Sequence, residues 1–208
     1  MRGIQLKKKT FARKNELLEA ALDEFTLKNY ENASLNTIIK NAGISKGTFY
    51  YHFQDKESLY LFLLETANKA KWKFINNHRK EIPRGQKAND IFEEFKIQAQ
   101  IGMEFASSFP QYHRLSMMFV RERGNKIYNN AKSKLNFSTQ SMMGEVVKKA
   151  RENGELNPRF SEDFTMKVLT HLLMNFDDIF HEEEDFHLNM MVENLNNYVE
   201  FMKNGLGK

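Results

Sequence analysis

A short run of polar and aromatic side chains at positions 45–53 has types and spacing that could bind a ligand: SKGTFYYHF. If this run is helical, Phe49 and Phe53 are four residues apart, lie on one face and pack inward. The other face then presents five side chains that can each donate a hydrogen bond: Lys46, Thr48, Tyr50, Tyr51 and His52. Such a face suits phosphate oxygens and base edges. The alternative is a helical hairpin whose aromatic residues bind nothing.

A glycine follows the first residue of this helix. Gly47 has a conformational-entropy cost there, which is tolerable only if a side chain would be in the way. A closely approaching DNA strand would be one reason, and a closely packed neighbouring helix would be another. The sequence leaves both open.

Three helices are expected to position this run. Ser34 and Ser45 are good N-caps for two short helices, 35–42 and 46–52, which a glycine separates. A longer amphipathic helix, about 10–28, precedes them. Two short helices joined by a glycine-containing turn and packed on a longer one form a helix-turn-helix, whose second helix enters the major groove of DNA.

The positive charge of the chain is concentrated at the same end. Residues 1–52 contain nine Lys or Arg and five Asp or Glu, a net of +4, which equals the formal net charge of the whole chain. Uneven charge of this kind favours a polyanionic partner for the N-terminal region, and double-stranded DNA is such a partner. A solvated basic tail would produce the same charge distribution.

The remaining sequence is typical of an all-α protein. Three prolines and ten glycines stand mostly between amphipathic segments, and no strand-like alternation appears. We therefore expect an N-terminal three-helix domain with the helix-turn-helix at 1–55. A larger helical domain for ligand binding and dimerisation would occupy 56–208, and about nine helices are expected in total. The predicted later helices are 56–79, 89–108, 110–123, 127–152, 162–180 and 187–203.

Several functional classes are disfavoured. The chain has no cysteine, which excludes disulfides and thiolate metal sites and suits a cytoplasmic protein. Its longest apolar run, 59–64, is far too short to span a bilayer, so no membrane partner is expected. No catalytic or phosphate-binding motif is present. The acidic run with flanking histidines at 181–187 is more typical of a solvated loop than of a metal site, so we expect no enzyme, metal or cofactor.

One segment closely resembles a known family. Residues 42–53, AGISKGTFYYHF, followed by DKESL at 55–59, are similar to the DNA-binding domain of TetR-family repressors. The resemblance extends over about 10–65. It implies that Lys46, Thr48 and Tyr50 lie nearest the bases, with Gly47 beside them, and that Tyr51 and His52 contact phosphates.

The resemblance also implies contacts outside the second short helix. Ser45 and Thr37 would add backbone contacts from the N-termini of the two short helices. Lys56 would contact a phosphate at the start of the fourth helix, where the helix dipole favours an anion.

The resemblance further implies that the protein is a transcriptional repressor that binds its operator until a small molecule releases it. Phe and Met are concentrated after residue 88 and make adaptable apolar pockets as readily as ordinary core. A small apolar or aromatic inducer is therefore expected. The pocket candidates are Phe92, Phe95, Met103, Phe105, Tyr112, Met117, Phe119, Met143, His171 and Phe176. The alternative is a similar DNA-binding protein without an inducer, acting architecturally or through a protein partner.

The last two predicted helices indicate a homodimer. Their apolar stripes, Leu169 to Phe176 and Leu188 to Met202, are broader than one side of a helix needs for packing. A two-fold dimer built on them would present two recognition helices to a palindromic operator.

Overall fold

The all-α expectation is confirmed. The computed structural model describes residues 13–81, 90–135, 139–180 and 188–206, and within these ranges the chain forms eleven helices. The first four are α1 (Lys14–Leu27), α2 (Leu35–Asn41), α3 (Lys46–His52) and α4 (Lys56–Glu81). The others are α5 (Ile91–Ser108), α6 (Pro110–Arg121), α7 (Lys126–Leu135), α8 (Thr139–Glu152), α9 (Glu162–Met174), α10 (Phe176–Phe180) and α11 (Leu188–Leu206).

Two predicted helices are each described as two. The segment expected at 127–152 contains α7 and α8, and residues 136–138 lie outside the described part of the chain. The segment expected at 162–180 is interrupted at Asn175, whose side-chain amide donates to the carbonyl oxygen of His171 at 2.6 Å. Such local side-chain bonding gives the backbone an alternative to a continuous helix.

Serine N-caps begin α2, α3 and α9. The hydroxyls of Ser34 and Ser45 accept the backbone N–H groups of Thr37 at 3.3 Å and Thr48 at 3.0 Å. Ser161 does the same for α9. Each cap satisfies a donor that the helix leaves without an internal partner and stabilises the helix by about 1 kcal/mol. Gly43 separates α2 and α3 with a φ of 62°, a left-handed conformation that favours glycine.

The chain divides into two compact units. Unit 1 contains Met1–Phe74 and Phe105–Phe137, and unit 2 contains Ile75–Glu104 and Ser138–Lys208. The helix-turn-helix therefore shares unit 1 with most of α4 and with α6 and α7. The boundary expected between residues 55 and 56 separates regions by function and stays a prediction.

The core of unit 1 joins the helix-turn-helix to the helices that follow it. Phe25, Ile38 and Phe49 from the first three helices are buried together with Tyr60 of α4 and Leu115 of α6. Truncating one such residue to alanine costs about 2–5 kcal/mol. Helix α3 is thus held on a packed scaffold that includes α4 and α6.

Most of the apolar stripe on α11, which the sequence pattern assigns to a dimer, lies in the core of unit 2. Leu195, Tyr198, Val199 and Met202 of α11 are buried within the unit, and Leu169 of α9 is buried with them. The Tyr198 hydroxyl donates to the carbonyl oxygen of residue 172 at 3.0 Å. These five side chains are therefore packed inside unit 2, and the homodimer expected from the two stripes stays a prediction. The side chains of Leu188 and Met191 lie outside the described set.

None of the helices in the described part of the chain is long and apolar enough to cross a membrane.

Candidate nucleic-acid interface

Helix α3 has one buried and one exposed face. Phe49 and Phe53 are 0% and 2% exposed, and their rings stack with centroids 5.8 Å apart. Tyr50 and Tyr51 are 57% and 46% exposed. The Phe49 ring meets Tyr50 edge-on at 5.2 Å, which orients the exposed tyrosine from below. Two large aromatic side chains exposed next to each other on one helix make this face a candidate interface.

The polar members of the α3 face differ in their availability. Lys46 is exposed, and within the described residues it forms no ion pair. The hydroxyls of Ser45 and Thr48 hydrogen-bond each other at 2.9 Å, so the helix start presents them as a pair. His52 is half-buried, and its ring meets Tyr51 edge-on at 5.0 Å. Thr37 is also half-buried, at the start of α2.

Gly47 has room for a side chain within this structure. A Cβ built there would have one heavy atom within 4 Å, the Ser45 hydroxyl at 3.6 Å, which is an ordinary van der Waals distance. No neighbouring helix in the described part of the chain explains the glycine. Of the two reasons that the sequence left open, close approach of DNA remains.

Lys56 is placed differently from the sequence expectation. Its ammonium donates to the carbonyl oxygens of Tyr30 at 2.6 Å, Ala33 at 2.9 Å and Glu31 at 3.3 Å. It also lies 4.5 Å from the centre of the Tyr30 ring. An ammonium has three N–H groups, and here all three are directed at the α1–α2 turn. Lys56 therefore links the start of α4 to that turn, and the phosphate contact expected from the sequence stays a prediction.

Burial shifts the pKa values of the two side chains at this contact, Lys56 and Tyr30. Desolvation lowers the pKa of Lys56, and it raises the pKa of Tyr30 to about 12. Neutral Tyr30 therefore persists at physiological pH and packs against Tyr60 with ring centroids 5.0 Å apart. The start of α4, the turn and the core of unit 1 form one connected cluster.

Two buried carboxylates accept backbone N–H groups of the same turn. Glu24 of α1 accepts the backbone N–H of Ser34 and the Lys28 ammonium, both at 2.8 Å, and the Lys28 hydrogen bond lowers its pKa. Glu122, just after α6, is 2% exposed and accepts the backbone N–H of Tyr30 at 2.7 Å. Hydrogen bonds to charged acceptors are stronger than neutral ones, which suits both groups to fixing the start of α2.

Sequence reasoning missed this support. The one local signal was Glu24, an acidic residue next to Phe25 on the apolar face of α1. Glu122 gave no local signal, because its partner is 92 residues away. A third contact was also missed, in which Arg13 donates to the carbonyl oxygen of Gly43 at 3.2 Å.

The pocket candidates from the sequence divide between the two units. In unit 2, Phe92, Phe95 and Met103 are buried in the core and Phe176 packs against it. His171 lies on the exposed side of α9, which contradicts its assignment to a pocket interior. The Met143 side chain lies outside the described residues.

The remaining candidates belong to unit 1. Phe105 is buried, and its ring lies 5.7 Å from that of Phe74. The other three are half-buried on α6: Tyr112, Met117 and Phe119.

Metal binding has no candidate site among the described residues, which contain no group of three or more His, Asp or Glu placed to hold an ion. The acidic run at 181–187 lies outside the described residues.

Sequence comparisons identify the N-terminal region. Residues 17–62 match the family model for bacterial regulatory proteins, tetR family. A 59-residue segment is 34% identical to the uncharacterized HTH-type transcriptional regulator YdgC of Bacillus subtilis (strain 168), covering 28% of this chain and 30% of that protein. A 64-residue segment is 33% identical to the biofilm operon icaADBC HTH-type negative transcriptional regulator IcaR of Staphylococcus aureus (strain Newman), covering 31% and 32%. The chain thus matches less than a third of the length of these curated relatives, which are regulators rather than enzymes.

Solved structures share the fold along nearly the whole chain. A TetR family transcriptional regulator from Chloroflexus aurantiacus J-10-FL has a TM-score of 0.77 at 19% identity, with 97% of this chain and 96% of that one covered. The ketosteroid transcriptional regulator KstR2 of Mycobacterium tuberculosis has a TM-score of 0.65 at 16% identity, with 98% and 100% covered. The N-terminal region, residues 17–62, thus matches the tetR family of bacterial regulatory proteins, and the chain as a whole shares the fold of these solved structures.

Proposed function

We propose that this protein is a sequence-specific DNA-binding repressor that acts as a homodimer on a palindromic operator. The observation that carries the proposal is the α3 face, where Tyr50 and Tyr51 are exposed above the buried Phe49 and Phe53. Inserted in the major groove, this face would bring hydrogen-bond donors to base edges and phosphates. Such a regulator works where chromosomal DNA lies, so the proposal places it in the cytoplasm.

Within this proposal, each residue of the face has a role. Lys46, Thr48 and Tyr50 contact bases or the adjoining phosphates, and Tyr51 and His52 contact phosphates. Ser45 and Thr37 support the contacts at the two helix N-termini, and Gly47 lets the backbone approach the DNA.

The dimer is proposed to form through the exposed surfaces of α9–α11. Met190 and Phe201 are 44% and 70% exposed and lie eleven residues apart, three helical turns on one face of α11. Phe164 of α9 and Ile179 of α10 are also exposed. Exposed apolar side chains of this size mark interaction surfaces, and a second copy of the chain would cover them.

Release by a small apolar or aromatic ligand is the second part of the proposal. Support comes from the Phe- and Met-rich composition after residue 88, and from a structural neighbour, KstR2, that is named as a ketosteroid regulator. A ligand releases DNA only if it binds the DNA-incompetent conformation more tightly than the DNA-bound one.

The DNA-binding assignment is tested with an operator selected from random duplex DNA. Lys46→Ala should weaken binding at least about tenfold, and Tyr51→Phe about fivefold, the effect of one lost hydrogen bond of about 1 kcal/mol. Fluorescence anisotropy of labelled operator measures both. Lys148→Ala, an exposed lysine on α8, is the matched control. Unchanged affinity in both α3 variants would refute the proposed site.

The alternative without an inducer makes a different prediction for the same complex. A panel of fatty acids, steroids and aromatic acids is added to the purified dimer bound to labelled operator. Concentration-dependent release by one class supports the ligand proposal. Stable binding throughout favours an architectural or protein-partnered regulator.

A further inference from the structure

The turn between α6 and α7 carries positive charge that lies outside the proposed DNA-binding face of α3. Arg121, Arg123 and Lys126 are exposed, and none forms an ion pair with a residue that the structure describes. We call these three residues the basic corner. The acidic residue among them, Glu122, is buried and accepts hydrogen bonds from Tyr30 and from the Asn125 amide, so it does not neutralise the exposed surface.

The basic corner lies beside the turn that leads into α2. The Glu122 carboxylate accepts from the Tyr30 backbone at 2.7 Å. Arg121 and Arg123 adjoin Glu122, with successive Cα atoms about 3.8 Å apart. Four residues after Tyr30, Ser34 caps the N-terminus of α2, which the proposed function places at the DNA backbone.

Helix α7 continues from the corner to the start of α4. Its far end is anchored by Lys134, whose ammonium lies 2.6 Å from the Glu57 carboxylate in the first turn of α4. Between the two ends, Ile127 and Ala131 are buried in the core of unit 1. The corner is therefore fixed on the scaffold that holds the helix-turn-helix.

We propose that the basic corner binds the phosphate backbone of the duplex just outside each operator half-site. The inference rests on the proposed function and extends its contact surface beyond α2 and α3. Each Lys or Arg that neutralises a phosphate releases condensed counterions, which strengthens binding regardless of sequence. The three cations would add a sequence-independent term that requires DNA on both flanks of the operator.

The test compares two duplexes with the full-length protein. The short one ends at the selected operator, and the long one adds ten base pairs of arbitrary sequence on each side. Binding is measured over a salt series. We expect wild type to bind the long duplex about tenfold more tightly at low salt, with a salt slope steeper by about 0.9 for each added phosphate contact. The triple variant Arg121→Gln/Arg123→Gln/Lys126→Gln should bind both duplexes alike and keep the wild-type affinity for the short one.

A matched triple variant controls for net charge. Lys148→Gln/Lys149→Gln/Arg159→Gln removes three exposed charges from unit 2 and should keep the preference for the long duplex. Single Arg123→Gln and Lys126→Gln variants should each lose part of that preference, which guards against misfolding of the triple variant. If wild type bound both duplexes equally, the inference about the basic corner would be overturned and the proposed function would stand. An equal loss of the preference for the long duplex in the two triple variants would have the same meaning. Wild type binding neither duplex would overturn the proposed function.

Discussion

Gly47 is the residue at which folding and DNA binding make opposite demands. A glycine in a helix raises the entropy cost of folding, and the structure leaves space for a Cβ at this position. The same Cβ would stand on the face that the proposed function sets against DNA. Stability and binding should therefore respond in opposite directions to one methyl group.

Gly47→Ala should raise the free energy of unfolding by about 0.5–1 kcal/mol and weaken operator binding at least about tenfold, since one misplaced methyl in a close interface costs more than a kcal/mol. Chemical denaturation followed by Trp72 fluorescence measures the first effect, and anisotropy measures the second. Gly102→Ala in α5, where a Cβ would meet nothing within 4 Å, is the control. It should stabilise the fold and leave DNA binding intact. Undiminished binding by Gly47→Ala would contradict the close approach of DNA.

Lys56 has two candidate roles, holding the α1–α2 turn and contacting a phosphate, which one substitution can distinguish. Lys56→Met keeps the length of the side chain and removes the donors to three carbonyl groups. We expect the free energy of unfolding to fall by about 1–3 kcal/mol. The salt slope of operator binding should stay at the wild-type value, because the ammonium does not release counterions from a phosphate. If the salt slope of operator binding fell by about 0.9 per protomer with unchanged stability, Lys56 would contact a phosphate.

At the level of elements, the start of α2 depends on contacts that are distant in sequence. Glu24 holds Ser34 from α1, Lys56 holds the turn from α4, and Glu122 holds Tyr30 from the end of α6. These polar contacts surround a turn of a few residues and leave it little freedom. The orientation of α2 and α3 is therefore set by α4 and α6 as well as by the helix-turn-helix itself.

Glu122→Ala should lower the free energy of unfolding by about 1–3 kcal/mol, since a buried backbone N–H loses its acceptor. It should also weaken operator binding by loosening the α1–α2 turn. Glu122→Gln retains a carbonyl oxygen for Tyr30 and should recover most of both properties. Chemical denaturation and fluorescence anisotropy of the wild type, Glu122→Ala and Glu122→Gln proteins measure stability and operator binding. Equal damage by both substitutions would show that the negative charge matters instead of the hydrogen bond.

For the whole molecule, the proposed palindromic operator requires two copies of the chain, one for each half-site. Most of the apolar stripe on α11 is used inside its own unit, so the dimer has to form on the side chains that remain exposed. Phe201 is 70% exposed, which makes it a suitable position to test this surface.

Phe201→Glu should convert the dimer to a monomer at micromolar concentration and lower operator affinity at least about a hundredfold, because charged residues are depleted from interface centres and a palindrome is read by both protomers. Light scattering and anisotropy measure the two effects. Leu27→Glu, which changes an equally exposed residue of unit 1, should leave the oligomeric state unaltered. Dimeric Phe201→Glu would place the interface elsewhere.

The local pattern of residues determined much of this protein. Contiguous segments contain the serine caps, Gly43 and the spacing of Phe49 and Phe53. The sequence therefore predicted α2, α3 and the hydrogen-bond donors on the exposed face of α3. Helical periodicity likewise predicted the all-α class. These features depend on interactions between residues within one or two helical turns, which are close together in the sequence.

Tertiary structure decided the matters that depend on distant partners. Lys56 and Glu122 meet the α1–α2 turn from 26 and 92 residues away, and no periodicity encodes such pairings. Most of the described α11 stripe is buried in the core of unit 2, and an apolar stripe by itself does not specify whether its partner belongs to the same chain or to a second copy. The exposed donors of α3 were evident from the sequence, and only the packed structure showed which contacts hold them in place.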